Sequence, residues 1–194
     1  QHLIPENDVQ APTSGELNPT TLGPLFASLL PEDVVVCDEA ATSGFFVTPH
    51  AWSAKPLDWL ALTGGSIGQG LPLATGAAIG APDRPVVCLH GDGGAMYTIQ
   101  SLWTQAREGL NVTNLIFSNK AYAILQVELE RVGALETGDR ATSMLSLDNP
   151  EINWVSLANS LGVPAKRTLT VEEFHKAFSD GISSEGPSLI EIIV

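Results

Sequence analysis

The chain has 194 residues, 44% of them hydrophobic and 16% charged, with 22 acids against 9 bases. That length suits one domain burying roughly 70% of its unfolded surface, and the apolar content excludes a disordered acidic tail. A net charge of −13 excludes the clustered cations that nucleic acid or an anionic membrane requires.

Residues 1–17 carry Pro5, Pro12 and Gly15 without periodicity and read as a linker or surface tail. No signal-peptide pattern opens the chain, and its start on Gln1 reads as processing or a fragment. Asn18-Pro19 is a helix start, an N-cap followed by Pro at the first helical position. Leu22, Leu25, Phe26, Leu29 and Leu30 continue it at helical spacing until Pro31. Continuous apolar runs then recur at 34–37, 86–89, 112–117 and 189–194. Unbroken rather than alternating runs are buried on both faces, as strands of a parallel sheet are. Helical patterns cover 67–79, 99–108, 122–131, 154–161 and 171–181. Strands alternating with helices predict an α/β fold with a mainly parallel sheet, a three-layer domain over 18–194. Cys37 and Cys88 close two apolar runs and read as buried strand thiols, so a reducing cytoplasm is the expected location. No run reaches the ~18 apolar residues of a membrane helix.

Ligands of parallel sheets sit at the carboxyl ends of the strands. His90-Gly91-Asp92-Gly93-Gly94 follows the second run. Its glycines admit a ligand close to the backbone, and helix-start N–H groups favour an anion. Asp92 belongs beside a phosphate only if a divalent cation stands between them. The next strand ends at Ser118-Asn119, where Asn119 offers a neutral amide oxygen of the kind Mg²⁺ takes. Alone, each is equally an ordinary turn. Together at neighbouring strand ends they read as a cation site that supplies the positive charge the composition lacks.

Gly91-Asp92-Gly93, a gap of 24 residues, then Ser118-Asn119 resembles the cofactor motif of the thiamine diphosphate-dependent superfamily of pyruvate decarboxylase and acetohydroxyacid synthase. The family carries Asn where this chain has Ser118, but its metal ligand is the second Asn. The resemblance implies Mg²⁺ held by Asp92, Asn119 and the Ala121 carbonyl, and thiamine diphosphate as cofactor. The segment 64–72 resembles the family's cofactor-bending loop, which implies that the Gly65 carbonyl accepts from the aminopyrimidine, with Ser66 beside it. Ile67 would wedge between the two rings of the cofactor. A dinucleotide-binding glycine loop is the alternative there, but the spacing is not G-x-G-x-x-G and no suitably placed acid follows.

Thr42 and Ser43, with Gly93 and Gly94, are expected beside the diphosphate, though a Thr-Ser pair is equally a helix cap. Tyr122, Ala123, Ile124 and Leu125 are expected to face the cofactor. Leu125 fits equally the buried face of an amphipathic helix. Glu128 reads as near the substrate or simply solvated, and no histidine receives a catalytic role.

In this superfamily the activating glutamate lies in a separate pyrimidine-binding domain, so no catalytic residue is assigned in this chain. The resemblance therefore implies the C-terminal half of an active site, a fragment or natural small subunit that is inactive alone. It would be completed by a pyrimidine-binding domain of the same or a partner chain, in a homodimer or homotetramer, acting on a small 2-oxo acid. The likeness is to benzoylformate decarboxylase and to acetolactate synthase-like proteins. Gln126-Val127-Glu128 stands where true acetohydroxyacid synthases carry Gln-Trp-Glu. The rival reading is a non-catalytic cofactor-binding or assembly module.

Overall fold

A computed structural model describes residues 10–134 and 138–194. Among them six strands form one wholly parallel sheet: β1 (Val35–Glu39), β2 (Asp58–Ala61), β3 (Val86–Gly91), β4 (Val112–Ser118), β5 (Ala165–Thr168) and β6 (Ser188–Ile193). Their order is β2-β1-β3-β4-β6-β5. The helices are α1 (Pro19–Leu29), α2 (Gly44–Ala51), α3 (Gly70–Gly80), α4 (Asp92–Ala95), α5 (Ser101–Glu108), α6 (Ala123–Arg131), α7 (Asp139–Ser143), α8 (Trp154–Ser160) and α9 (Val171–Ser183). This is the expected α/β architecture. None of these helices is long and apolar enough to cross a membrane.

Alternate residues of each central strand feed opposite faces. Val36, Val87, Leu89, Leu115 and Phe117 pack with Leu22, Phe26, Phe174 and Phe178 of α1 and α9. Val35, Cys37, Cys88, Val112 and Ile116 pack with Leu71, Leu102 and Trp154 of α3, α5 and α8. Both faces are covered by helices, which is why the inner strands read as unbroken apolar runs.

Where structure and sequence pattern part, the causes are local. The edge strands β2 and β5 are not among the runs expected to be strands: β2 lies in the short run Trp59-Leu60-Ala61-Leu62 but is largely exposed, and β5 carries Lys166 and Arg167. Helix α2 contains Pro49, and its segment reads as irregular in sequence. Helix α3 begins at Gly70 rather than 67, because Gly64, Gly65 and Gly68 hold positive φ, which a right-handed helix cannot continue through. Asn18 caps α1 as expected, its side chain accepting from the Thr20 and Thr21 amides. The Leu17 amide donates to the Leu169 carbonyl at 3.0 Å, and Leu17 is buried. Residues 1–9 of the expected linker lie outside the described residues.

Cys37 and Cys88 are cross-strand partners, both buried and free. Burial pushes the Cys37 thiol up to about 12 and the Cys88 thiol well above its ordinary value. Such thiols are inert packing groups.

One polar knot crosses the core. The Asn114 amide donates to Gln105 Oε1 at 2.8 Å and to the Ser188 carbonyl at 3.0 Å, and Gln105 donates to Thr75 at 3.2 Å. Asn114 and Gln105 are fully buried. Gln105→Leu should therefore cost about 1–3 kcal/mol by leaving Asn114 under-satisfied. Adding Asn114→Leu should recover part of that loss, as urea denaturation of both variants would show.

Candidate functional site

Parallel register brings the strand ends together. Glu39 lies opposite His90 on β1 and β3, and Gly91 lies opposite Phe117 on β3 and β4. The residues that follow, Asp92 and Ser118-Asn119, leave the sheet side by side.

Asp92 opens α4 and is 3% exposed. Its Oδ1 accepts from the Gly93 amide at 2.8 Å and its Oδ2 from the Lys120 amide at 2.7 Å. The second bond clasps the β4 turn onto the β3 turn. Within that turn the Ala121 amide donates to Asn119 Oδ1 at 3.0 Å, and Lys120 takes a left-handed φ of 57°. Burial raises the Asp92 carboxyl above the usual carboxylate range, and the Gly93 and Lys120 amides only partly offset it. Among the described residues no basic side chain forms an ion pair with Asp92. A buried carboxylate met only by amides, beside an amide oxygen with a free lone pair, is a donor set suited to a hard divalent cation.

The turn is braced from outside. The Leu147 amide donates to the Lys120 carbonyl at 2.7 Å, and the Tyr122 amide donates to Leu145. Lys120 Nζ lies 3.1 Å from Glu151, which pairs in turn with Arg167, itself 2.8 Å from buried Glu191. A methyl at Gly93 would come within 2.7 Å of the Tyr122 ring, so any larger residue would displace that ring where these turns meet.

Thr42, Ser43, Asn119 and Ala123 line one cavity of about 180 Å³ walled by Phe46 and Phe117. Ser43 stands at the N-cap of α2 yet makes no side-chain cap hydrogen bond, so capping does not occupy its hydroxyl. Gly94 lies at the opposite side of α4, closing against His90 and Glu39.

The loop 63–69 stands apart from that cavity. The Ile67 amide donates to the Gly65 carbonyl at 3.0 Å across Ser66, whose φ of −76° and ψ of 82° make a γ-turn. Ile67 is 59% exposed and serves no core. The base of the loop is fixed by Glu39, whose Oε1 accepts from the Gly68 amide and Oε2 from the Gly70 amide, both at 2.6 Å. His90 Nε2 lies 3.1 Å from Oε2, close enough for charge attraction but outside hydrogen-bond alignment. Burial raises the Glu39 carboxyl, but His90 and the two amides outweigh it and hold it below its ordinary value.

Helix α6 contributes no buried residue, which removes the core-face alternative for Leu125. Ile124 and Leu125 are exposed, and Glu128 pairs with Arg131 at 3.3 Å. His50 packs against Gly23 of α1, and His175 is exposed on α9. The roles of Glu39, His90 and Lys120 are not assigned by the motif reading. Two acids closing a buried apolar run are the one signal for Glu39.

A wholly parallel sheet whose central strand ends gather an acid, an amide and glycine turns defines an α/β cofactor-binding domain. The chain belongs to the thiamine pyrophosphate enzyme family as its C-terminal TPP-binding domain, whose model matches residues 39–192. It is 47% identical over 186 residues to a Mycobacterium tuberculosis protein named "Putative acetolactate synthase large subunit IlvX", covering 95% of this chain and 36% of that one. It is 29% identical over 189 residues to benzoylformate decarboxylase of Pseudomonas aeruginosa, covering 97% and 34%. The Rhodococcus jostii thiamine diphosphate-dependent 4-hydroxybenzoylformate decarboxylase superposes with a TM-score of 0.81 at 30% identity, covering 96% of this chain and 34% of that one. The chain thus spans about a third of the length of these relatives.

Two stability outcomes follow. Gly70→Ala would place a methyl 2.8 Å from the His90 ring and should cost about 1–3 kcal/mol, whereas Gly76→Ala, with nothing within 4 Å in mid-helix, should gain about 0.5–1 kcal/mol in thermal unfolding. Because the folded Glu39 carboxyl lies below its unfolded value of 4.5, its stabilisation is full above pH 4.5 and is lost as pH falls through the folded value. The stability difference between wild type and Glu39→Gln should therefore shrink below that pH, measured by denaturant titration across pH 3–7.

Proposed function

We propose that this chain is the cofactor-binding part of a thiamine diphosphate- and Mg²⁺-dependent enzyme that acts on small 2-oxo acids, by decarboxylation or carboligation. The observation that carries this is the clasp of the β4 turn onto buried Asp92, which sets a carboxylate and an amide oxygen beside glycine N–H groups. Asp92, Asn119 and the Ala121 carbonyl would hold the metal. Thr42, Ser43, Gly91, Gly93 and Gly94 would receive the diphosphate, with the metal supplying the positive charge that a chain of net charge −13 lacks. Gly65, Ser66 and Ile67 would meet the pyrimidine half, and Tyr122, Ala123 and Ile124 would line the thiazolium side. Thiamine diphosphate supplies the electron sink for cleavage next to a carbonyl; these residues bind it, orient it and exclude water.

No group here is assigned to protonate or deprotonate the pyrimidine ring, so the chain would be inactive alone. A pyrimidine-binding domain of the same or a partner chain, in a homodimer or homotetramer, would complete the site. The exposed apolar residues Phe45, Phe46, Ile67 and Tyr97 support such a covering partner. Two buried reduced thiols suit a cytoplasmic enzyme.

Calorimetric titration of the full-length protein should show thiamine diphosphate binding that EDTA abolishes. Asp92→Ala should weaken it by about 100-fold or more, since even indirect support of a metal is worth 10–100-fold. Unchanged affinity would refute the ligand assignment, and no binding by the wild type would refute the reading itself.

A further inference from the structure

Glycine-rich turns with exposed N–H groups ordinarily receive phosphate, and this site has two such turns. They are not equivalent. At the 63–69 loop, the Gly68 and Gly70 amides are already taken by the two oxygens of Glu39, each at 2.6 Å. Glu39 is 5% exposed, and a buried carboxylate is costly unless its oxygens are satisfied. Here each oxygen is satisfied by one of those amides, and fully buried His90 lies 3.1 Å from Oε2, outside hydrogen-bond alignment. Space is closed to match: a methyl at Gly70 would come within 2.8 Å of His90 and one at Gly94 within 3.0 Å.

The bonds at the tip of the same loop are internal to it, the Thr63 amide donating to Gln69 Oε1 at 3.2 Å and the Ser66 amide to the Thr63 carbonyl at 3.3 Å. Nothing lies within 4 Å of a methyl built at Gly64 or Gly65. Apart from Glu39, the loop base is held from outside by the Thr98 hydroxyl, which donates to the Gly68 carbonyl at 2.7 Å. Where the tip stands is thus decided at its base.

We infer that Glu39, seated on His90, is a positioning and orientation-determining residue: it fills the amides of the glycine loop with an internal carboxylate. That loop is thereby closed to phosphate, and its tip is held to present the Gly65 carbonyl and the Ile67 side chain to an uncharged heterocycle. A cofactor with one anionic end and one neutral end then has a single way to lie, its diphosphate at Asp92 and Gly93. The inference rests on the thiamine diphosphate reading for the identity of that cofactor.

The test compares wild type, Glu39→Gln and Glu39→Asp in the full-length protein. Two ligands are titrated with Mg²⁺, thiamine diphosphate and inorganic diphosphate, and amide hydrogen exchange is followed at Gly68 and Gly70 without ligand. Glu39→Gln keeps one acceptor but not two. It should speed exchange at one or both amides and weaken thiamine diphosphate about tenfold, the effect of one charged hydrogen bond. Inorganic diphosphate, which has no heterocycle, should bind within about twofold of wild type. Glu39→Asp keeps the charge on a shorter arm and should fall between; if Glu39→Gln does not fold, the same readouts on Glu39→Asp decide. Unchanged exchange overturns the inference whether or not the cofactor reading stands. Equal loss of both ligands overturns it too, by making Glu39 a general structural support. Wild type that binds neither ligand instead refutes the cofactor reading, and with it the ligand half of this inference, while exchange still decides whether Glu39 holds the loop.

Discussion

The hydrogen bond from the Lys120 amide to the Asp92 carboxylate joins the ends of two strands, and the site's shape follows from it. The bond forms because β3 and β4 run parallel in a register that ends them together. It draws the backbone of residues 119–121 over the start of α4, so that Asp92, Asn119 and Ala121 come from one joint. The Lys120 side chain continues outward through Glu151 and Arg167 to Glu191 on β6. The same residue thus ties the turn inward by its amide and outward by its charge.

Of the buried carboxylates in this region, Asp92 and Glu39 sit in environments that differ in kind. Among the described residues Asp92 meets amides but no cationic side chain, and burial raises its carboxyl. Glu39 meets amides and His90, and its carboxyl is lowered. The first is a charge with unfilled capacity, suited to a metal. The second is a charge already spent on the fold. On the proposed reading a strongly acidic chain could accommodate a diphosphate, because the repulsion would be met locally by a cation and by oriented N–H groups rather than by surface lysines.

Much of the fold is legible along the chain. The runs around Val35, Val86, Val112 and Leu189 are strands because both of their faces are covered, and periodicity reports burial directly. Edge strands β2 and β5 escape that reading: β5 carries Lys166 and Arg167 on an exposed edge, and the short run at Trp59–Leu62 is not buried on both faces. Helix α2 escapes it because Pro49 breaks the local pattern while packing against α1 keeps the helix. The meeting of the turns that carry Asp92 and Asn119 is legible for a different reason: the glycine spacing and the strand ends are both linear features.

By itself, the sequence determined the parallel α/β class, the family and the candidate ligands, because these depend on burial pattern and on motif spacing along one dimension. Only the tertiary structure decided that Glu39 and His90 pair under the glycine loop, that the Lys120 amide reaches Asp92, and that α6 offers no buried face. Those facts depend on which residues from distant segments arrive at the same point. No local propensity encodes that arrival; the parallel register of β1, β3 and β4 does.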